Sequence, residues 1–288
     1  MRAFEKLSVA LKGFFMGAAN VIPGVSGGTI ALITGIYARL VNSLDAVMSI
    51  ESWKMLFKGE FKAFWKRIDG TFLLWLVIGV CVSIFSLAKL AELCLHSFPV
   101  QTWAFFFGLI AASAVVMFRG IKGWKAKDVA IAAAGVLLGY SVCTLSPTTT
   151  PDSWWFIFIC GAIAICTMIL PGISGSFILV ILGKYDYIMG AVSDLDIPVL
   201  AIFALGCAIG ILAFAKALHW LLERREKETM LVLLGFVVGS LVKVWPWNNM
   251  DAVPDGGMHI PGAIIWCLAG IALIIVIEIF NKRYEQNS

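Results

Sequence analysis

Charge is scarce in this chain. Asp, Glu, Lys and Arg make up 14 % of its 288 residues, against 60 % hydrophobic residues, and the mean hydropathy is +0.93. A soluble domain carries about 25 % charge and about 45–50 % apolar residues, so a water-soluble domain of this length is excluded. A disordered or nucleic-acid-binding chain goes with it, because the net charge of +4, from 22 basic and 18 acidic residues, is too mild for a nucleic-acid partner. Histidine is nearly absent: His96, His219 and His259 are scattered without metal-ligand spacing. No H-E-x-x-H and no Walker A loop occurs. No metal, no cofactor and no ATP-driven chemistry are expected. The cysteines, Cys81, Cys94, Cys143, Cys160, Cys166, Cys207 and Cys267, are odd in number, lack C-x-x-C and lie mostly in apolar runs. They read as small buried hydrophobes without a disulfide framework.

What is present is length in apolar runs. Runs at 71–95, 101–118, 129–146, 197–222, 229–246 and 261–280 are each long enough to span a bilayer, which takes about 20 residues. Two further apolar regions, 7–45 and 153–192, are broken by Gly/Ser/Pro clusters. Proline removes a backbone donor and glycine permits non-helical backbone. Each region is therefore two full spans or a re-entrant hairpin. The segment Met1–Gly17 faintly resembles a signal peptide, but Lys12 interrupts its apolar part, and it reads as mature sequence.

Basic residues set the expected topology. The N-terminus holds Arg2, Lys6 and Lys12; Lys54, Lys58, Lys62, Lys66 and Arg67 follow the first hairpin. Arg119, Lys122, Lys125 and Lys127, then Arg224, Arg225 and Lys227, then Lys282 and Arg283 complete the groups. Segments 96–100, 146–153 and 247–260 hold no Lys or Arg. The positive-inside rule puts the basic groups, and both termini, in the cytoplasm. Region 7–45 then starts and ends inside, and region 153–192 starts and ends outside. An arm over 8–22 is about 22 Å of helix, short of a core about 30 Å thick. That favours re-entry, with both tips near mid-membrane.

The two broken regions match at an offset of 148: Pro23/Pro171, Gly24/Gly172, Ser26/Ser174, Gly27/Gly175, Gly35/Gly183 and Tyr37/Tyr185. A second stretch, from Ile78-Gly79 to Ala88-Lys89, matches Leu205-Gly206 to Ala215-Lys216 at an offset of 127, as do Gly108/Gly235 and Ser113/Ser240. The expected fold is an all-α polytopic membrane protein with an inverted-topology repeat. Residues 1–150 form one half and 151–288 the other, each a re-entrant hairpin followed by three transmembrane helices. Inverted repeats with broken helices are a common carrier architecture, with the substrate site at the repeat interface.

The tips, with Pro23, Gly24, Pro171 and Gly172 at the turns, offer backbone N–H groups and the hydroxyls of Ser26, Thr29, Ser174 and Ser176. Helix N-termini with small residues suit an anion; equally, the glycines suit tight packing. The candidate phosphate-binding set is Ser26, Gly27, Gly28, Thr29, Ser174, Gly175 and Ser176, with Asn20 as an accessory. Lys89 and Lys216 sit at matched positions inside apolar spans, where charge is costly; a phosphate role and snorkelling both stand. Arg39 and Lys184 follow the hairpins as outer anion guides or snorkelling cations. Glu92, three residues after Lys89, is an ion-pair partner or a proton-coupling group.

The paired segments Gly17–Thr29 and Leu170–Ser176 resemble the PopT family of polyprenyl-phosphate transporters, formerly a domain-of-unknown-function membrane family, over nearly the whole chain. That resemblance implies a flippase for undecaprenyl phosphate, returning the lipid carrier from the outer to the inner leaflet of a bacterial or archaeal cytoplasmic membrane. The implied partners are the polyprenyl-phosphate lipid and the bilayer, with room for a homo-oligomer. The alternatives are an integral-membrane undecaprenyl-diphosphate phosphatase and a secondary transporter of small anions. The phosphatase carries an arginine in its P-G-x-S-R-S tip, whereas Gly27 and Gly175 stand at that position here.

Overall fold

The computed structural model describes residues 3–21, 26–248 and 259–286, and every regular element in them is a helix. The first hairpin region holds α1 (Ala3–Val21), α2 (Gly27–Ile33) and α3 (Tyr37–Met48). Two short helices follow, α4 (Ile50–Phe57) and α5 (Phe61–Arg67), then α6 (Gly70–Ser97), α7 (Pro99–Gly120) and α8 (Ala126–Cys143). The second hairpin region holds α9 (Trp154–Ile169), α10 (Gly175–Ile181) and α11 (Tyr185–Ser193), followed by α12 (Ile197–Ser240) and α13 (Ile260–Gln286).

Three described helices, α7, α8 and α12, are long and apolar enough to cross a membrane, and up to five spans result if each bent pair is one span. The runs at 197–222 and 229–246 are two helical stretches of α12 that meet at a kink, where Arg225 departs from helical geometry. Helix α1 is already formed at Ala3, the first described residue and earlier than the expected arm. Its 19 residues make about 28 Å of helix, so the outward arm is not short. The short element is the return helix: α2 and α10 have seven residues each, or about 10 Å. The axes of α10 and α11 then diverge by 113°.

The helix boundaries repeat at the offset of 148 because the local chemistry repeats. Ser26 and Ser174 both cap a helix in extended conformation, accepting from the Gly28 and Phe177 amides respectively. Both short helices end in a Schellman turn on glycine, at Gly35 (φ 72°) and Gly183 (φ 62°). The same bonds close each: Gly35 N–H to Leu32 O and Ile36 N–H to Ala31 O, then Gly183 N–H to Val180 O and Lys184 N–H to Leu179 O. At the offset of 127, Phe98 (φ −138°, ψ 55°) and Arg225 (φ −142°, ψ 47°) break their helices alike. A threonine stitches each break. Thr102 donates to Phe98 O and Cys94 O, and Thr229 donates to Arg225 O and Leu221 O.

Contacts divide the chain into two compact units that are not its sequence halves. One comprises Met1–Ser86 and Leu145–Thr229, the other Leu87–Thr144 and Met230–Ser288. The first unit contains both hairpins. There α1 crosses α6 with Gly13 against Leu76 O and Gly79 against Ala10 O; α9 crosses α12 with Gly161 against Phe203 O and Gly206 against Phe158 O. A Cβ at any of these glycines would fall 2.0–2.2 Å from the facing carbonyl oxygen. Small residues thus set the helix spacing, as packing without a hydrophobic driving force requires. In the second unit α7 packs along α13, with Gly108 against Cys267 O and Gly270 against Phe105 O.

The segment 46–70, expected only as a basic loop, carries α4 and α5. They expose Trp53, Phe57, Phe61 and Trp65 among Lys54, Lys58, Lys62 and Lys66. Aromatic and basic residues together are the composition of a helix lying in a membrane interface.

Candidate functional site

The two hairpin tips meet within the first unit. Ser26 Oγ donates to Leu170 O at 3.1 Å, and Thr29 Oγ1 accepts from Gly172 N–H at 2.8 Å. A Cβ at Gly28 would lie 2.5 Å from Ile169 O, so only glycine lets the start of α2 sit against the second tip. Gly172 adopts φ 95°, a left-handed conformation that suits glycine, and both it and Pro171 are buried. Pro23 and Gly24 lie outside the described residues.

The amides that open α2 are engaged. Gly27 N–H goes to Asn20 Oδ1 at 2.7 Å, Gly28 N–H to Ser26 Oγ at 3.1 Å and Thr29 N–H to Ser26 O at 3.0 Å. Ser26 and Thr29 are each 1 % exposed. Gly24 to Gly28 has G-x-S-x-G spacing, yet the Ser26 hydroxyl is committed to a carbonyl and a helix, not a strand, precedes it. It is no nucleophile elbow.

The second tip is more open. Ser176 is exposed and Ser174 half-buried, their hydroxyls 3.2 Å apart. Among the described residues the N–H groups of Gly175 and Ser176 have no protein acceptor. Gly175 itself packs closely, 2.7 Å from Ala164 O to an added Cβ. Asn20 is exposed at the end of α1, with Oδ1 engaged by Gly27.

The charged candidates divide. Lys216 is exposed on α12. Lys89 and Glu92 belong to α6, but their side chains lie outside the described residues. Arg39 pairs with Asp69 at 2.6 Å and lies over the Phe72 ring, 4.4 Å from its centroid. Lys184 is 3 % exposed. Its ammonium pairs with Asp152 at 2.8 Å and donates to Thr150 O at 2.7 Å, beside the rings of Phe156 and Tyr187. Sequence reasoning left Lys12 out of the site. Its Nζ donates to Thr34 O at 2.8 Å, from the middle of α1 to the end of α2. The signal was available: Lys12 is the one basic residue in the apolar stretch 8–22. Among the described residues no group of His, Cys, Asp and Glu could hold a metal ion.

Apolar helices, broken helical hairpins and small-residue crossings define a multi-pass helical membrane protein. The comparisons make this specific. Residues 16–259 match the VCA0040-like family model, described as undecaprenyl phosphate translocase-like, and the chain belongs to that family. A Vibrio cholerae protein named polyprenyl-phosphate transporter is 44 % identical over 264 residues, covering 90 % of this chain and 85 % of the relative. A Staphylococcus aureus protein of the same name is 31 % identical over 265 residues, covering 85 % of this chain and 88 % of the relative. No solved structure matches the chain. Family membership places it among transporters and not among enzymes.

Proposed function

We propose that the chain carries polyprenyl phosphate, undecaprenyl phosphate in a bacterial envelope, from the outer to the inner leaflet of the cytoplasmic membrane for re-use. The names of the two relatives support the lipid class. The observation that carries the reading is the reciprocal lock between the tips, Ser26 to Leu170 and Gly172 to Thr29. It holds the Ser174–Ser176 edge against a fixed partner. In this reading the halves form an inverted repeat and the broken regions are re-entrant hairpins entering from opposite faces.

The head group sits at the tips. Ser176 and Ser174 hydroxyls, the Gly175 and Ser176 amides and the Asn20 carboxamide donate to it; Ser26, Gly27, Gly28 and Thr29 fix the wall behind. Lys216, exposed on α12 of the same unit, adds a cation to this set. Donors without a permanent full charge strip water from a phosphate yet still release it, as a carrier must. The prenyl tail stays in lipid throughout.

The test is reconstitution of the purified protein in liposomes with undecaprenyl phosphate, following how much head group stays chemically accessible outside. Protein-dependent loss at a rate above that of protein-free vesicles is expected; equal rates would remove the reading. Topology is checked separately. The asymmetry of Lys and Arg predicts that Lys62→Cys labels only from the cytoplasmic side and Asn248→Cys only from outside. External labelling of Lys62→Cys would invert the proposed orientation.

A further inference from the structure

The two elbows that end the short return helices have the same backbone but different charge. At the second elbow the Leu182 carbonyl accepts the neutral Thr150 hydroxyl at 2.5 Å, and the buried Lys184 ammonium is neutralised by Asp152 at 2.8 Å. At the first elbow the matching carbonyl, Thr34 O, accepts the Lys12 ammonium itself. Cys160 stands at the position of Lys12 in the second hairpin, one turn after Phe156, whose ring centroid is 5.9 Å from Lys184 Nζ. Both elbows therefore hold an ammonium in the same neighbourhood, delivered from different residues.

The balance differs. Arg39 stands in the first turn of α3, directly after the elbow whose carbonyl Lys12 binds, and it is paired with Asp69. Among the described residues Lys12 has no carboxylate within ion-pair distance. It is half-buried and nine residues before the end of α1, about 13 Å from the tip. The described partner of this half-buried ammonium is a carbonyl, in an apolar arm where charge is normally paired.

We infer that Lys12 and Arg39 form a second phosphate station, at the elbow of the first hairpin, which takes the head group after it leaves the tips. This rests on the carrier reading. The ligand chemistry is a phosphate dianion, common to a lipid phosphomonoester head group and to free phosphate. Lys12 supplies a charge with no carboxylate partner among the described residues, and Arg39 supplies a planar donor set for which Asp69 competes with the ligand. Asp152 does for Lys184 what the ligand does for Lys12, so the second elbow is closed by the chain's own anion.

The test uses the full-length protein in phosphatidylcholine nanodiscs, with undecaprenyl phosphate and inorganic phosphate as separate probes. Lys12→Gln is expected to weaken binding about tenfold, the loss of one charge-assisted hydrogen bond, and Lys12→Arg to restore most of it. Asp69→Asn releases Arg39 and is expected to tighten binding several-fold, a change of sign that a purely structural role would not give. Asparagine tolerates the positive φ of position 69 (φ 49°), so this variant stays informative if Lys12→Gln fails to fold. Weakening for undecaprenyl phosphate alone assigns the station to the lipid head group, and weakening for inorganic phosphate alone to the free anion; either supports a phosphate station. Unchanged affinity for both probes in Lys12→Gln and Asp69→Asn overturns it. If the wild type neither binds nor moves undecaprenyl phosphate, it is the carrier reading that fails.

Discussion

Gly28→Leu is expected to abolish transport and to lower the yield of folded protein sharply. Its Cβ would fall 2.5 Å from the Ile169 carbonyl oxygen and 3.2 Å from the Leu170 carbonyl carbon. Those are backbone atoms of the second hairpin, so no side-chain rotation relieves the clash. The tips must separate. Separation breaks the bonds from Ser26 to Leu170 and from Gly172 to Thr29. Buried polar groups left unpaired cost about 1–3 kcal/mol each, and four such groups are exposed together. Ser26→Ala is the milder comparison. It removes one partner of Leu170 O and the cap of Gly28, and a lost N-cap costs about 1 kcal/mol. Retention of at least a tenth of wild-type transport is expected for Ser26→Ala, measured in the same liposomes, with none for Gly28→Leu. A fully active Gly28→Leu would mean that the tips do not pack as described.

Much of this geometry was legible because it is local. Ser26 and Ser174 precede glycine starts, and Gly35 and Gly183 stand where Schellman turns need positive φ. The spacing that aligns them at 148 residues also aligns the helix ends. The break at Arg225 was legible from charge, as the join between two spans; the chain leaves helical geometry there, and Thr229 donates to the freed carbonyls of Arg225 and Leu221. The donors at the first tip misled for another reason. Nothing local says that Gly27 N–H goes to Asn20, or that Thr29 accepts from a residue 143 positions away. Those are facts of tertiary structure. The same holds for Lys184, whose partner Asp152 lies on the segment before α9. Lys12 was counted for topology, although its place in an apolar arm already marked it as a residue needing a partner.

Undecaprenol is expected to compete with undecaprenyl phosphate at least a hundredfold more weakly for the wild-type protein. The tail is the same in both, so tail contacts cancel in the comparison. What differs is a head group with several acceptor oxygens and about −1.5 to −2 charge at neutral pH, against one hydroxyl. The proposed donors are Ser174, Ser176 and the Gly175 and Ser176 amides, which the structure leaves at an open edge. Hydrogen bonds to a charged group contribute about 1.5–3 kcal/mol each, so losing even two gives about 3–6 kcal/mol. At about 1.4 kcal/mol per factor of ten that exceeds a hundredfold. Ser174→Ala with Ser176→Ala is then expected to narrow the gap, because the phosphate loses partners that the alcohol barely used. Competition measured with a fluorescent polyprenyl phosphate in nanodiscs gives both numbers. Equal competition by alcohol and phosphate would make the tips packing devices, with the glycines present for helix spacing alone. A wide gap that the double serine variant leaves untouched would instead move the head group away from the second tip, toward the cations of the first elbow.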